Sequence, residues 1–230
     1  MRHLIPTASA VVLVLTAAAG PATAQGSAQH DMAMMEATDV AGKHLTVTPH
    51  WPVQPGDSAR ADSIVEVNEA ALAKYGDVAV AEADGFKMFA PKVKKQKVYH
   101  YTRRMNAIKA RWTFDATAPT SLLYAPQPDG TVRLIGAMYT TPPNFTLAQL
   151  DARIPLSIAQ WHQHTSICLP PGADVEAGLT TRDPRFGPRG SISTEEACRA
   201  AGGTFKTRMA GWMVHVNMFE APDQVWEHKH

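Results

Sequence analysis

Histidines occur in this chain at a spacing that suits metal binding. In the segment Trp161-His162-Gln163-His164 one residue separates two histidines, and side chains two residues apart on a β-strand point to the same face. Such residues are about 7 Å apart along a strand, so both imidazoles can reach one ion. Imidazole suits zinc, copper, iron and nickel. The pair therefore predicts a transition-metal site.

Two more histidines lie inside segments with strand character. In GWMVHVNMF the even-numbered positions are apolar, so His215 belongs to the opposite face. His100 lies in KVYHYT. We expect His162, His164 and His215 to bind one ion, with His100 as a fourth ligand or as a partner of the ligands. The alternative is four separate histidines, each with its own hydrogen-bond partner, since burying an unpaired imidazole is costly.

A second candidate metal site lies near the N-terminus. His30, Met32, Met34 and Met35 follow one another closely, and thioethers prefer Cu(I). This segment predicts an auxiliary copper site; an ordinary linker is the alternative.

Three classes of function remain open. The first is a protein that binds or buffers one transition-metal ion, copper or zinc. The second is a metal-dependent enzyme, because three histidines leave a position at which an ion can activate water or oxygen; Glu176 and Glu220 are the candidate bases. The third is a structural domain without metal. The chain has no Gly-x-Ser-x-Gly motif, phosphate loop or dinucleotide fingerprint.

The N-terminus has the features of a secretory signal peptide. Met1-Arg2-His3 is positively charged, an apolar run covers residues 8–19, and Ala22-Thr23-Ala24 fits a cleavage site. The run is shorter than the ~20 residues that a transmembrane helix needs. We expect residues 1–24 to be removed, and a periplasmic or secreted protein without stable membrane insertion.

The two cysteines fit an exported protein. Cys168 and Cys198 are the only cysteines, and an oxidising compartment favours their pairing in a disulfide. The alternatives are two free thiols, or Cys168 as a metal ligand.

The remaining elements predict one α+β domain. Residues 25–56, with their Met, His and Pro, are predicted to be a flexible linker, and residues 57–230 a single domain. Helical periodicity follows residue 57, and the later segments, including a hairpin over residues 122–139, alternate as strands do. The expected fold is a layer of N-terminal helices on a mainly antiparallel β-sheet, or a cupin-like barrel.

Several segments together are similar to known sequences. QWHQHTSICLPPG, SISTEEACRAAGGTF and GWMVHVNMF resemble a broad group of uncharacterised exported bacterial proteins with a WHxH…C…CxxxGG…WMxHV pattern. The resemblance covers residues 60–228 and implies no particular activity. Many members have an acidic residue where Met138 stands, and a methionine facing the metal would favour copper. The histidine pair also resembles the cupin metal site, in which a glutamate follows the pair; here Thr165-Ser166-Ile167-Cys168 follow.

The overall charge excludes some partners. The chain has 22 Lys and Arg and 21 Asp and Glu, and removal of residues 1–24 takes away Arg2 and no acid. A mature chain with zero net charge has no general attraction to phosphate, so we expect no nucleic-acid partner. Protein partners stay open.

Overall fold

A computed structural model of the chain describes residues 44–93, 96–221 and 223–227. It contains eight strands, six α-helices and one 3₁₀ turn within these residues. In chain order the elements are β1 Leu45–Val47, α1 Asp57–Leu72, the 3₁₀ turn Ala73–Gly76, α2 Val78–Ala83, β2 Lys87–Met88, β3 Tyr99–Thr102, α3 Arg104–Lys109, β4 Ser121–Pro126, β5 Val132–Thr140, α4 Leu147–Asp151, β6 His162–Leu169, α5 Val175–Thr180, α6 Glu195–Ala200, β7 Thr204–Arg208 and β8 Met213–Val216.

The strands form one antiparallel sheet. Their order is β1-β6-β8-β5-β4-β3-β2, and β7 pairs with the second half of β6. Within the described chain β1 pairs only with β6 and β2 only with β3, so this order is an open sheet and not a ring. The predicted α+β fold with a mainly antiparallel sheet is confirmed.

One face of the sheet forms the main core. Tyr101, Leu122, Ala137 and Val216 follow one another across β3, β4, β5 and β8, and all four are at most 5% exposed. Residues of α1, α2 and the 3₁₀ turn pack on this face in the same cluster. The helical layer predicted from the periodicity after residue 57 is therefore present, and it leaves the other face of the strands for different side chains.

Part of the segment predicted to be a linker forms a strand. Leu45–Val47 is a strand and pairs with residues 162–164 of β6. Three residues show no clear period, and their hydrogen-bond partners are more than 100 residues away, so the sequence alone could not reveal this strand. Residues 25–43, including the candidate ligands His30, Met32, Met34 and Met35, lie outside the described residues.

The predicted disulfide is present. Cys168 at the end of β6 and Cys198 in α6 are bonded, with their Cα atoms 5.5 Å apart. Both are fully buried and pack with Phe186. The bond attaches α6 to the half of β6 that does not carry the histidines.

The described part of the chain contains no helix that is both long enough and apolar enough to cross a membrane.

Candidate functional site

The four candidate histidines lie on the face of the sheet opposite the main core. The alternation along β8 turns Val214 and Val216 into the core and His215 to the other side. His162 is paired with Met213, which is on the same face as His215. His100 of β3 faces this side too, because its neighbour Tyr101 is in the core.

The histidine rings of β6, β8 and β3 form a continuous series of contacts, although β5 and β4 lie between β8 and β3 in the sheet. The ring centroids of His162 and His215 are 5.1 Å apart, and those of His162 and His164 are 5.8 Å apart. At the other end, His100 and His215 are separated by 5.8 Å. The structure thus brings together all four residues singled out in the sequence, and His162 is one of the two central members.

These separations are close to those of imidazoles that share an ion. With a Zn–N distance of about 2.0–2.1 Å and tetrahedral angles, two bound imidazoles have ring centroids roughly 5 Å apart. The rings nevertheless pack edge to face, with angles of 82° and 83° around His162. As the side chains stand, no three or more His, Cys, Asp or Glu residues of the described ranges form a group that could hold a metal ion.

Burial keeps two of the imidazoles in the form that binds metal. Desolvation lowers the pKa of His100 below its usual value, against a hydrogen bond with the backbone of Val98 that raises it. Desolvation also lowers the pKa of His164, which a backbone contact with His44 partly opposes. The other ionisable residues that act on their pKa values are histidines: His164 acts on His100, and His44 acts on His164. The lowered pKa values favour the neutral rings, and a neutral imidazole nitrogen is a metal ligand.

Two methionines flank the histidines. Met138 of β5 is directly opposite His215 of β8, and Met213 is opposite His162. Both residues are 8% exposed and pack together with Leu123. Met138 was a candidate from the sequence. Met213 was not, although its place two residues before His215 puts it on the same face.

His44 is a neighbour of the site that the sequence did not identify. Its Nδ1 is 2.9 Å from the carbonyl oxygen of Ser166, and its Nε2 is 2.7 Å from that of Gly190. Its own carbonyl accepts a hydrogen bond from the Thr165 N–H. His44 thus joins the start of β1 to β6 just beyond the histidine pair. Ser166 has a φ of 56°, a left-handed conformation that is uncommon outside glycine. The contact between the His44 ring and the Ser166 carbonyl therefore lies at an irregular position of β6.

The carboxylates named as candidate bases have other surroundings. Glu176 of α5 accepts a hydrogen bond of 2.6 Å from the Lys92 N–H, and its other oxygen is 3.9 Å from the Lys92 ammonium. Glu220 is exposed in the turn after β8. Neither acts on the pKa of His100 or His164.

Comparison with known proteins does not add a family assignment. No protein-family model, no curated protein and no solved structure matches this chain.

Proposed function

We propose that this chain is an exported protein that binds one transition-metal ion, copper or zinc, on the histidine face of its sheet. His162, His164 and His215 are the ligands, and His100 is the fourth ligand or a hydrogen-bond partner of the ligands. The observation that carries the proposal is the unbroken series of ring contacts from His164 to His100.

Binding requires the rings to turn, because their present edge-to-face packing does not direct the nitrogens to one point. The second side-chain torsion of histidine has a broad energy profile, so the rings can turn without moving the strands. The strands hold the four Cα positions by hydrogen-bonded pairing, which lowers the entropy lost when the ligands are ordered.

The surroundings favour binding over catalysis. A hydrolytic metal enzyme needs an open coordination position and a base within hydrogen-bond reach of the bound water. The ionisable residues that act on the pKa values of His100 and His164 are histidines, so no carboxylate is identified as a base beside these two rings. Met138 and Met213 beside the rings favour copper over zinc, because thioethers prefer Cu(I).

The export of the protein is part of the proposal. The buried disulfide fits an oxidising compartment, and the charged and apolar pattern of residues 1–24 is that of a signal peptide. Together they support a periplasmic or secreted location, where metal ions are bound before they reach the cytoplasm.

The test measures metal binding by the untagged mature chain, using elemental analysis and competition titration. We expect one tightly bound ion for the wild type. His164→Ala or His215→Ala removes one of three or four ligands that share roughly 10–16 kcal/mol, so affinity falls about 10²–10⁴-fold. His50→Ala is the matched control, because His50 is exposed and in no contact with the four rings. A wild type that holds no ion after loading, or variants that all bind equally, would show that the histidines are structural.

The choice of metal has its own test. Met138→Leu and Met213→Leu keep the size of the apolar side chains but remove the sulfur. If the site is a copper site, both substitutions weaken Cu(I) binding and leave Zn²⁺ binding unchanged. Equal effects on the two ions would assign the methionines a packing role only. Absorption spectra of the Cu(II)- or Co(II)-loaded protein then give the coordination geometry, and an exchangeable bound water would favour the enzyme.

A further inference from the structure

Away from the four histidines, a buried arginine has no anionic partner among the described residues. Arg153, which follows α4, is only 9% exposed. Its guanidinium stacks on the ring of Phe145 at 4.7 Å, but in the described ranges it makes no hydrogen bond and no ion pair. The guanidinium nitrogens keep some contact with water, since none of them is both fully buried and unpaired. A largely buried charge in this position gains from an anionic partner. Burial accordingly lowers the pKa of Arg153.

Arg153 lines a small cavity beside α3. Lys109 and Thr113 come from α3 and the turn after it, and Tyr139 and Thr140 from the end of β5. The cavity has a volume of about 40 Å³. One water needs about 10–15 Å³ on the same scale, so the space fits one small oxyanion and not a drug-sized molecule.

The lining has a positive balance. The Lys109 side chain supplies a second positive charge, and it forms no ion pair within the described chain. Asp115 also lines the cavity, but its Oδ1 is occupied by hydrogen bonds from the Thr117 N–H and hydroxyl, at 2.9 and 2.6 Å. Two cations and one carboxylate leave one positive charge at the cavity.

The surface around the cavity strengthens this field. Residues 103–111, which include α3, contain four Lys and Arg and no Asp or Glu, a local excess that the near-zero net charge of the chain conceals. Arg104, Lys109 and Arg111 are exposed, and Arg111 lies over the ring of Trp112, which is 73% exposed. A concentrated positive surface raises the local concentration of anions and their association rate.

We propose that this cavity binds a small oxyanion, such as phosphate, sulfate or a carboxylate, with the Arg153 guanidinium as the main contact and the Lys109 ammonium as the second. The guanidinium presents paired N–H donors that match two oxygens of such a group. The group is either a free ion or the terminal part of a larger molecule, such as a phospholipid headgroup, whose remainder stays outside on the basic surface. None of the cavity residues is a proposed metal ligand. The proposals for anion binding here and for metal binding at the histidines can therefore be tested independently.

The test compares anion binding by the mature chain and its variants at constant ionic strength. Inorganic phosphate, sulfate and acetate are added against chloride, and both the melting temperature and the heat of binding are measured. A ligand that binds only the folded state raises the melting temperature as its concentration increases. Phosphatidylglycerol vesicles, assayed by co-sedimentation with phosphate as competitor, test the same group on a lipid.

The variants separate the cavity from the general charge. Arg153→Met and Lys109→Met should each weaken binding about tenfold or more, since each removes a charged hydrogen-bond donor. Lys87→Met removes the same charge from an exposed residue of β2 outside the cavity and should leave binding unchanged. Asp115→Asn removes a negative charge from the cavity and should strengthen anion binding. If Arg153→Met does not fold, the opposite effects of Asp115→Asn and Lys109→Met on anion binding test the proposal instead. Absence of binding by every probe, or a Lys109→Met effect no larger than that of Lys87→Met, would overturn the proposal.

Discussion

Removal of the disulfide should destabilise the protein globally and leave the histidine site in place. The bond joins residues 30 positions apart. In the chain-entropy description, closing a loop of that length contributes about 3–4 kcal/mol to the free energy of unfolding. Cys168 and Cys198 are both fully buried against Phe186, so their replacement by alanine also loses packing. We expect Cys168→Ala/Cys198→Ala to lose at least this amount.

The measurement is urea unfolding followed by tryptophan fluorescence. The slope of the unfolding free energy against urea concentration is compared between variants, because a change in this slope indicates a change in the unfolded state and not in stability alone. Wild-type protein in a strong reductant should approach the double variant, and the double variant should not respond to the reductant. Metal stoichiometry should stay at one, because the histidine half of β6 is paired with β1 and β8 and not held by the disulfide. Equal urea midpoints for the oxidised wild type and the double variant would refute the entropic argument, and loss of the metal would show that the disulfide positions the ligands.

Three further changes test the site and its strands. Because the pKa values of His100 and His164 are lowered in the folded state, the unfolded chain takes up protons first; the metal-free protein should lose stability as pH falls through about 6.5 towards the lower folded values. Urea unfolding at several pH values checks this, and replacing both histidines by glutamine should flatten the profile. Gly136→Ala places a Cβ 2.2 Å from a backbone oxygen of β8, so it should cost about 1–3 kcal/mol and weaken metal binding. Gly76→Ala, which has open space around the new Cβ, is its control, and equal stability of the two variants would contradict the structure. Deletion of residues 25–40 should leave thermal unfolding and tight metal stoichiometry unchanged; loss of the tight ion would show that this segment supplies ligands.

Strand alternation explains why the histidines could be predicted from the sequence. His162 and His164 are on one face by spacing alone, and the apolar positions on either side of His215 determine which face it occupies. These are local properties of a chain that is extended over a few residues. The disulfide followed from composition and export in the same way, without knowledge of the fold.

Contacts between distant parts of the chain could not be predicted in this way. His44 bonds to Ser166 and Gly190, which are 122 and 146 residues away, and β1 exists only because β6 supplies its partners. Arg153 has the sequence surroundings of an ordinary surface residue; its burial results from the meeting of α3, β5 and the chain after α4. Such features depend on tertiary packing, about which periodicity within one segment says nothing.

Because side chains along β8 alternate between the two faces of the sheet, the histidine site depends on the register in which β8 pairs with β5. A slip of one residue against β5 would move His215 into the main core and set Val216 beside Met138, so both faces would be wrong at once. A slip of one residue therefore cannot keep the core and lose only the site. Under the proposed function, metal uptake therefore reports that β8 is not shifted by one residue against β5. A chain with that shift is both unstable and unable to bind the ion.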